Sequence, residues 1–141
     1  MPQDQAADQA QRQKDIILEW ASKPGRPDRW DVGFAPDFTL TVVGSSPISG
    51  TMVGVAEIDE KMAGFRSRLR SLKVTIDQLI CEGDTVVKLA HSDGLTVDGK
   101  PYRNVYSTIY RFENGLVAEI TEFLDTALVE TVVFNKKIVA D

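Results

Sequence analysis

Apolar residues recur along this chain with two different periods, and the change between them falls near residue 70. From Ala7 to Ser22 the residues Ile16, Ile17, Trp20 and Ala21 form a stripe at helical spacing. Lys23-Pro24-Gly25 ends that helix, because proline cannot continue it and glycine enters the left-handed cap at little cost. Pro27 suits the first turn of a short second helix, Asp28 to Phe34, which Pro36 closes. Phe38 to Val43 is β-branched and aromatic and reads as a strand, running into the loop Gly44 to Gly50. A third helix is predicted over Val53 to Arg68, with Met52, Val55, Ile58, Met62 and Phe65 as its buried stripe.

From Ser71 the period becomes two. Leu72, Val74 and Ile76 alternate with Lys73, Thr75 and Asp77. Glu82-Gly83-Asp84 is a turn, and Thr85 to Ser92 is the next strand. On that strand Thr85, Val87, Leu89 and His91 share one face, taken as the inward one, and Val86, Lys88 and Ala90 share the other. Asp93-Gly94 and Asp98-Gly99 signal further turns. Tyr102 to Glu113 and Leu116 to Leu124 are two alternating runs joined at Asn114-Gly115. Consecutive strands with short loops pair antiparallel, so helices followed by a meander predict an α+β fold. The tail from Thr126 to Asp141 fits a short helix or a strand, and its apolar residues are expected to pack across the sheet or on another subunit.

A length of 141 residues predicts one domain spanning 1–141, with residues 1–8 fraying and 126–141 as a C-terminal extension. The formal net charge of −5 disfavours a nucleic-acid partner. The run Arg66, Arg68, Arg70, Lys73 is better explained as a helix end carrying favourably placed cations. No apolar run is long enough for a membrane span and no signal-peptide pattern opens the chain, so a cytoplasmic location is the expectation. Cys81 stands alone beside Leu79 and Ile80, as a small buried hydrophobe would. With one cysteine and one histidine, no metal site is expected. The loop Gly44 to Gly50 lacks the Gly-Lys-Ser/Thr of a phosphate loop and the spacing of a nucleophile elbow.

Two side chains stand out as candidates for chemistry. Alternation puts Glu122 between Ile120 and Leu124, and a carboxylate on an apolar strand face is costly unless it is paired or used. Burial there would raise its pKa and suit it to proton transfer. His91, the sole histidine, is expected inward and is either a satisfied core residue or a general acid or base. Asn104, Tyr106, Thr108 and Tyr110 lie on one strand face and would line a pocket wall. Trp20, Trp30 and Phe65 would close that pocket from the helical side.

The order of SPISGTMVG, EGDTVV, YRNVYSTIYRFENGLV and EITEFLDT resembles the NTF2-like superfamily, in its SnoaL-like or ketosteroid-isomerase-like branch, over roughly Ile16 to Leu128. The resemblance implies a curved antiparallel β-sheet wrapped around N-terminal helices to form a cone, with a pocket at its open end and a homodimer as the common assembly. The place of the isomerases' base carboxylate falls on Thr41, that of their second acid on Thr108, and that of their tyrosine near Trp20. Threonine is no base near neutral pH and tryptophan offers no phenol, so steroid isomerisation is not implied. The similar limonene-epoxide-hydrolase group would match its terminal aspartate to Glu122 and place His91 near its Arg-x-Asp pair. The resemblance thus implies a His91–Glu122 pair performing isomerisation, dehydration, epoxide opening or cyclisation on a small apolar or mixed-polarity molecule, reactions that need no cofactor. The alternatives are a non-catalytic binder of a small hydrophobic ligand and a protein-interaction domain.

Overall fold

The computed structural model describes residues 3–140. Helix α1 is Gln3–Ala21, a single 3-10 turn is Pro27–Trp30, and helix α2 is Gly54–Ser67. The strands are β1 (Phe34–Val42), β2 (Gly50–Val53), β3 (Leu69–Glu82), β4 (Thr85–Thr96), β5 (Pro101–Tyr102), β6 (Val105–Glu113) and β7 (Leu116–Leu124). A short helix, α3 (Thr126–Leu128), runs on into a π-helical turn, Val129–Val133. The strands form one curved, unclosed sheet in the order β2-β1-β7-β6-β4-β3, with β5 beside β4. Every pairing is antiparallel except β1 with β7. The α+β cone expected from the sequence is therefore the observed architecture.

Helix α1 begins ahead of its apolar stripe. Polar contacts hold that early part: Gln9 Nε2 donates to Asp84 Oδ1 at 2.7 Å, and Gln13 Nε2 donates to the Gly83 carbonyl at 2.9 Å. The helix thus forms through most of the segment expected to fray, whose residues 1 and 2 lie outside the described residues. The second predicted helix shortens to the 3-10 turn with Pro27 at its start, and Phe34 already opens β1.

The sheet's inner face packs on the helices through Phe34, Phe38, Leu40, Val42, Val86, Tyr110, Phe112, Val117 and Ile120, with Ile17 from α1 and Ile58 from α2. The C-terminal segment belongs to this core: Val129 and Val133 are fully buried. Burying each valine contributes about 1.5–3 kcal/mol, so residues 126–133 close the fold, and Ile138 and Val139 beyond them are exposed. No described helix is long and apolar enough to cross a membrane.

Candidate functional site

Strand parity decides which side chains reach the inner face. On β4 the buried residues are Val86, Lys88, Ala90, Ser92, Gly94 and Thr96, so the face expected to point outward is the inner one. His91 is a correction: its side chain lies on the outer face, about half exposed, with Nδ1 2.8 Å from Asp77 Oδ2. Apolar residues occur on both faces of β4, so alternation alone could not choose between them. Asp77 reaches His91 because it is the extra residue of a β-bulge, where β4 pairs Ala90 with Ile76 and Leu89 with Gln78. Thr41 is a second correction. It sits opposite Thr121 on β7 and Thr51 on β2, on the sheet's outer face, with its Oγ1 2.9 Å from Thr51 Oγ1.

Glu122 does face inward. It lies on β7, an interior strand, opposite Val42 of β1 and Thr108 of β6. The Val43 N–H donates to the Glu122 carbonyl at 3.0 Å and fixes the backbone there. Thr108 Oγ1 donates to Glu122 Oε1 over a long 3.4 Å. Thr108 is in turn opposite Lys88 on β4, so Lys88, Thr108 and Glu122 form one cross-strand row. Burial raises the Glu122 carboxyl above its ordinary value, and the charge of Lys88 and the Thr108 hydrogen bond oppose that rise. Among the described residues Glu122 has no ion-pair partner, and its side chain is only partly shielded from solvent.

Tyr110 stands one step along the same face, opposite Val86 and Ile120. Burial raises its phenol, while Lys88 acts on it in the opposite sense both as a charge and through hydrogen bonding. Trp20 and Trp30 meet edge to face at 5.2 Å, and Trp30 stacks on Phe38 at 5.3 Å. The Arg29 guanidinium lies 3.5 Å over the Trp20 ring and its Nε donates to the Trp20 carbonyl at 3.3 Å. Desolvation lowers the Arg29 pKa to about 10, so it stays cationic at neutral pH.

The other expected pocket residues divide by role. Asn104 is a clamp: its Oδ1 accepts from the Asp125 N–H at 3.1 Å and its Nδ2 donates to the Asp125 carbonyl at 3.0 Å. Asp125 in turn accepts the Leu128 N–H at 3.2 Å and caps α3. Tyr106 donates its hydroxyl to Ser92 Oγ at 2.8 Å, within a buried network that includes Tyr102. Phe65 packs edge-on to Tyr102 at 5.9 Å. These three support the inner face from one end, while Thr108 touches Glu122 and the Trp20 and Tyr110 rings lie 5.0 and 5.5 Å from Lys88 Nζ.

Lys88 and Arg29 were missed from the sequence. Lys88 carried the same signal that singled out Glu122, an ion between apolar neighbours on one strand face. Arg29 lies in an irregular turn, where no periodicity places a side chain. Shallow depressions of about 300 and about 280 Å³ lie elsewhere, against Val105 and Phe123 and against Ile80 and Val87.

A sequence profile of the SnoaL-like domain matches residues 18–120. Among solved structures, an NTF2-like protein of unknown function from Burkholderia pseudomallei superposes with a TM-score of 0.77 at 20% identity, over 86% of this chain and 97% of that one. A candidate SnoaL-like polyketide cyclase from Jannaschia sp. gives a TM-score of 0.73 at 19% identity, over 91% and 95%. TerC, co-crystallised with polyporic acid, gives 0.74 at 20% identity, over 84% and 98%. No curated protein matches the chain.

Proposed function

Because the chain belongs to the SnoaL-like family, within the NTF2-like fold, we propose that it is an enzyme moving a proton on a small organic molecule held against the inner face, with Glu122 as the general acid and base. The observation that carries this reading is the state of Glu122. It is an inward carboxyl on an interior strand, without an ion-pair partner among the described residues and still partly open to solvent. A carboxylate kept for structure would be paired or fully hydrogen-bonded, since burying it otherwise is costly. Burial raises its pKa toward neutrality, where one group both takes and returns a proton efficiently. The charge of Lys88 and the Thr108 hydrogen bond act against that rise.

His91 has no part in this mechanism, since it lies on the opposite face of the sheet. Removal of a proton next to a carbonyl, followed by its return at another atom, is the step shared by isomerisation, dehydration and cyclisation. Two structural neighbours support a small organic substrate: one bears the name of a polyketide cyclase and another was crystallised with polyporic acid.

The test needs no known substrate. A panel of enolisable aromatic ketones is incubated with the protein in D2O, and exchange of carbon-bound protons is followed by NMR. Replacing Glu122 with Gln keeps the shape and removes the titrating proton. Exchange is expected to fall at least about 100-fold in that variant. Exchange that survives within a few-fold overturns the assignment of Glu122.

A further inference from the structure

The outer face of the sheet holds a titrating pair beside an uncovered apolar strip. In register, His91 of β4 is opposite Thr75 of β3 on one side and Val105 of β6 on the other. Val105 is 65% exposed, and with Ser107 and Phe123 it borders the depression of about 300 Å³. The bulge brings Asp77 to the same spot, with its Oδ2 2.8 Å from His91 Nδ1. His91 is the only histidine in the chain, and histidine is the one side chain that ordinarily changes charge between about pH 5 and 8.

The other ion pairs of this face close within one copy. Arg111 pairs with Glu119 at 3.4 Å, and Arg103 pairs with Asp93 at 3.4 Å. Lys73, the remaining cation of that corner, is set opposite the same Asp93. β6 brings no charge beside His91, since Val105, Ser107 and Ile109 precede Arg111 on its outer face. Among the described residues Asp77 has His91 as its one ion-pair partner. The neutrality of this corner therefore follows the protonation of the imidazole.

An apolar centre inside a rim of self-matched ion pairs can meet its own copy without net repulsion. Two-fold pairing lays the same residues of both copies into one interface. The match fails in one place when His91 is neutral. Each copy then brings an uncompensated Asp77 carboxylate into a region that association closes to water, where an unpaired charge is costly.

We propose that two copies of the chain pair through this outer face and that the Asp77–His91 pair makes the pairing depend on pH, the protonated imidazole favouring the dimer. In a single copy the pair is half exposed and solvent screens it, so it adds little to the fold. Its effect appears on association. The dimer binds protons more tightly than the separate copies, so association strengthens as pH falls through the histidine range and levels off on either side. This face lies opposite the one that carries Glu122, and the pairing is independent of the chemistry assigned there.

Sedimentation equilibrium over submicromolar and micromolar concentrations measures the link without a substrate. The dissociation constant is expected to be at least about tenfold smaller at about pH 5.5 than at about pH 8. His91→Gln keeps a hydrogen-bonding side chain that does not titrate, and its constants at the two pH values should agree within about twofold. The same variant separates His91 from Glu122, whose raised carboxyl lies on the other face. Asp77→Asn leaves a protonated imidazole without its carboxylate, so it should lose the preference for low pH or invert it. Val105→Glu sets a further carboxylate opposite His91 and should weaken association at about pH 8 at least about tenfold. A wild-type constant that changes less than about twofold between the two pH values overturns the proposal. So does a dependence that survives in His91→Gln, a dimer indifferent to Val105→Glu, or a monomer at both pH values.

Discussion

The inward Glu122 carboxyl is expected to make the stability of this protein depend on pH. Burial raises the Glu122 pKa above its ordinary value of 4.5 in the folded chain, while the unfolded chain keeps that ordinary value. Between the two values the folded state binds more protons, so stability falls as pH rises through the window. Below both values the neutral carboxyl and a glutamine are nearly equivalent. Glu122→Gln is therefore expected to melt close to the wild type at about pH 4 and to gain on it steadily until the pH passes the folded pKa. Thermal melts across that range check the sign, and a gap that narrows with rising pH would show Glu122 stabilised as an anion. The exposed His91–Asp77 pair contributes little by comparison, because solvent screens it. His91→Ala should leave proton exchange unchanged within about twofold and stability within about 1 kcal/mol.

At the scale of elements, the bulge at Asp77 decides which residues of β3 face the core. Before it the inward residues are Val74 and Ile76, opposite Ser92 and Ala90; after it they are Leu79 and Cys81, opposite Lys88 and Val86. The inward positions change from even to odd numbers there, because the bulge takes up the extra residue Asp77 and so keeps both halves of the strand on the same side. Deleting Asp77 would remove the bulge and join Ile76 directly to Gln78, which leaves Leu79 and Cys81 inward and opposite Lys88 and Val86; the variant is therefore expected to keep a cooperative thermal transition, as is Asp77→Ala, and circular dichroism melts that show the transition lost would overturn this reading of the register. The same parity explains what could be read from the sequence. β6 and β7 have one face that is plainly mixed and one that is apolar, so Thr108, Tyr110 and Glu122 were placed correctly from alternation. On β4 both faces carry valine, leucine or alanine, so the choice fell on the wrong side, exchanging Lys88 for His91. β2 and β5, four and two residues long, carry too little pattern to be seen. The overall fold was legible because the order of helices, turns and strands survives such local errors.

At the scale of the molecule, two features concern surfaces that strand pairing leaves open. Val105 and Phe123 are 65% and 44% exposed on the outer face of the sheet. A second copy of the chain is the expected cover, since apolar patches are rarely left in water and two-fold pairing is the commonest closed assembly. Light scattering at micromolar concentration should return about twice the 15.6 kDa chain mass, and a monomer would remove this expectation. The other feature is the parallel pairing of β1 with β7, which joins the first strand to the last. Until β7 is available, β1 has only the short β2 beside it, and its Phe34, Phe38, Leu40 and Val42 lack their main cover. Contacts so distant along the chain slow folding. On the ribosome, an early hydrophobic strand must therefore wait for nearly the whole polypeptide to be synthesised, and that interval of exposure is when this protein most needs a chaperone.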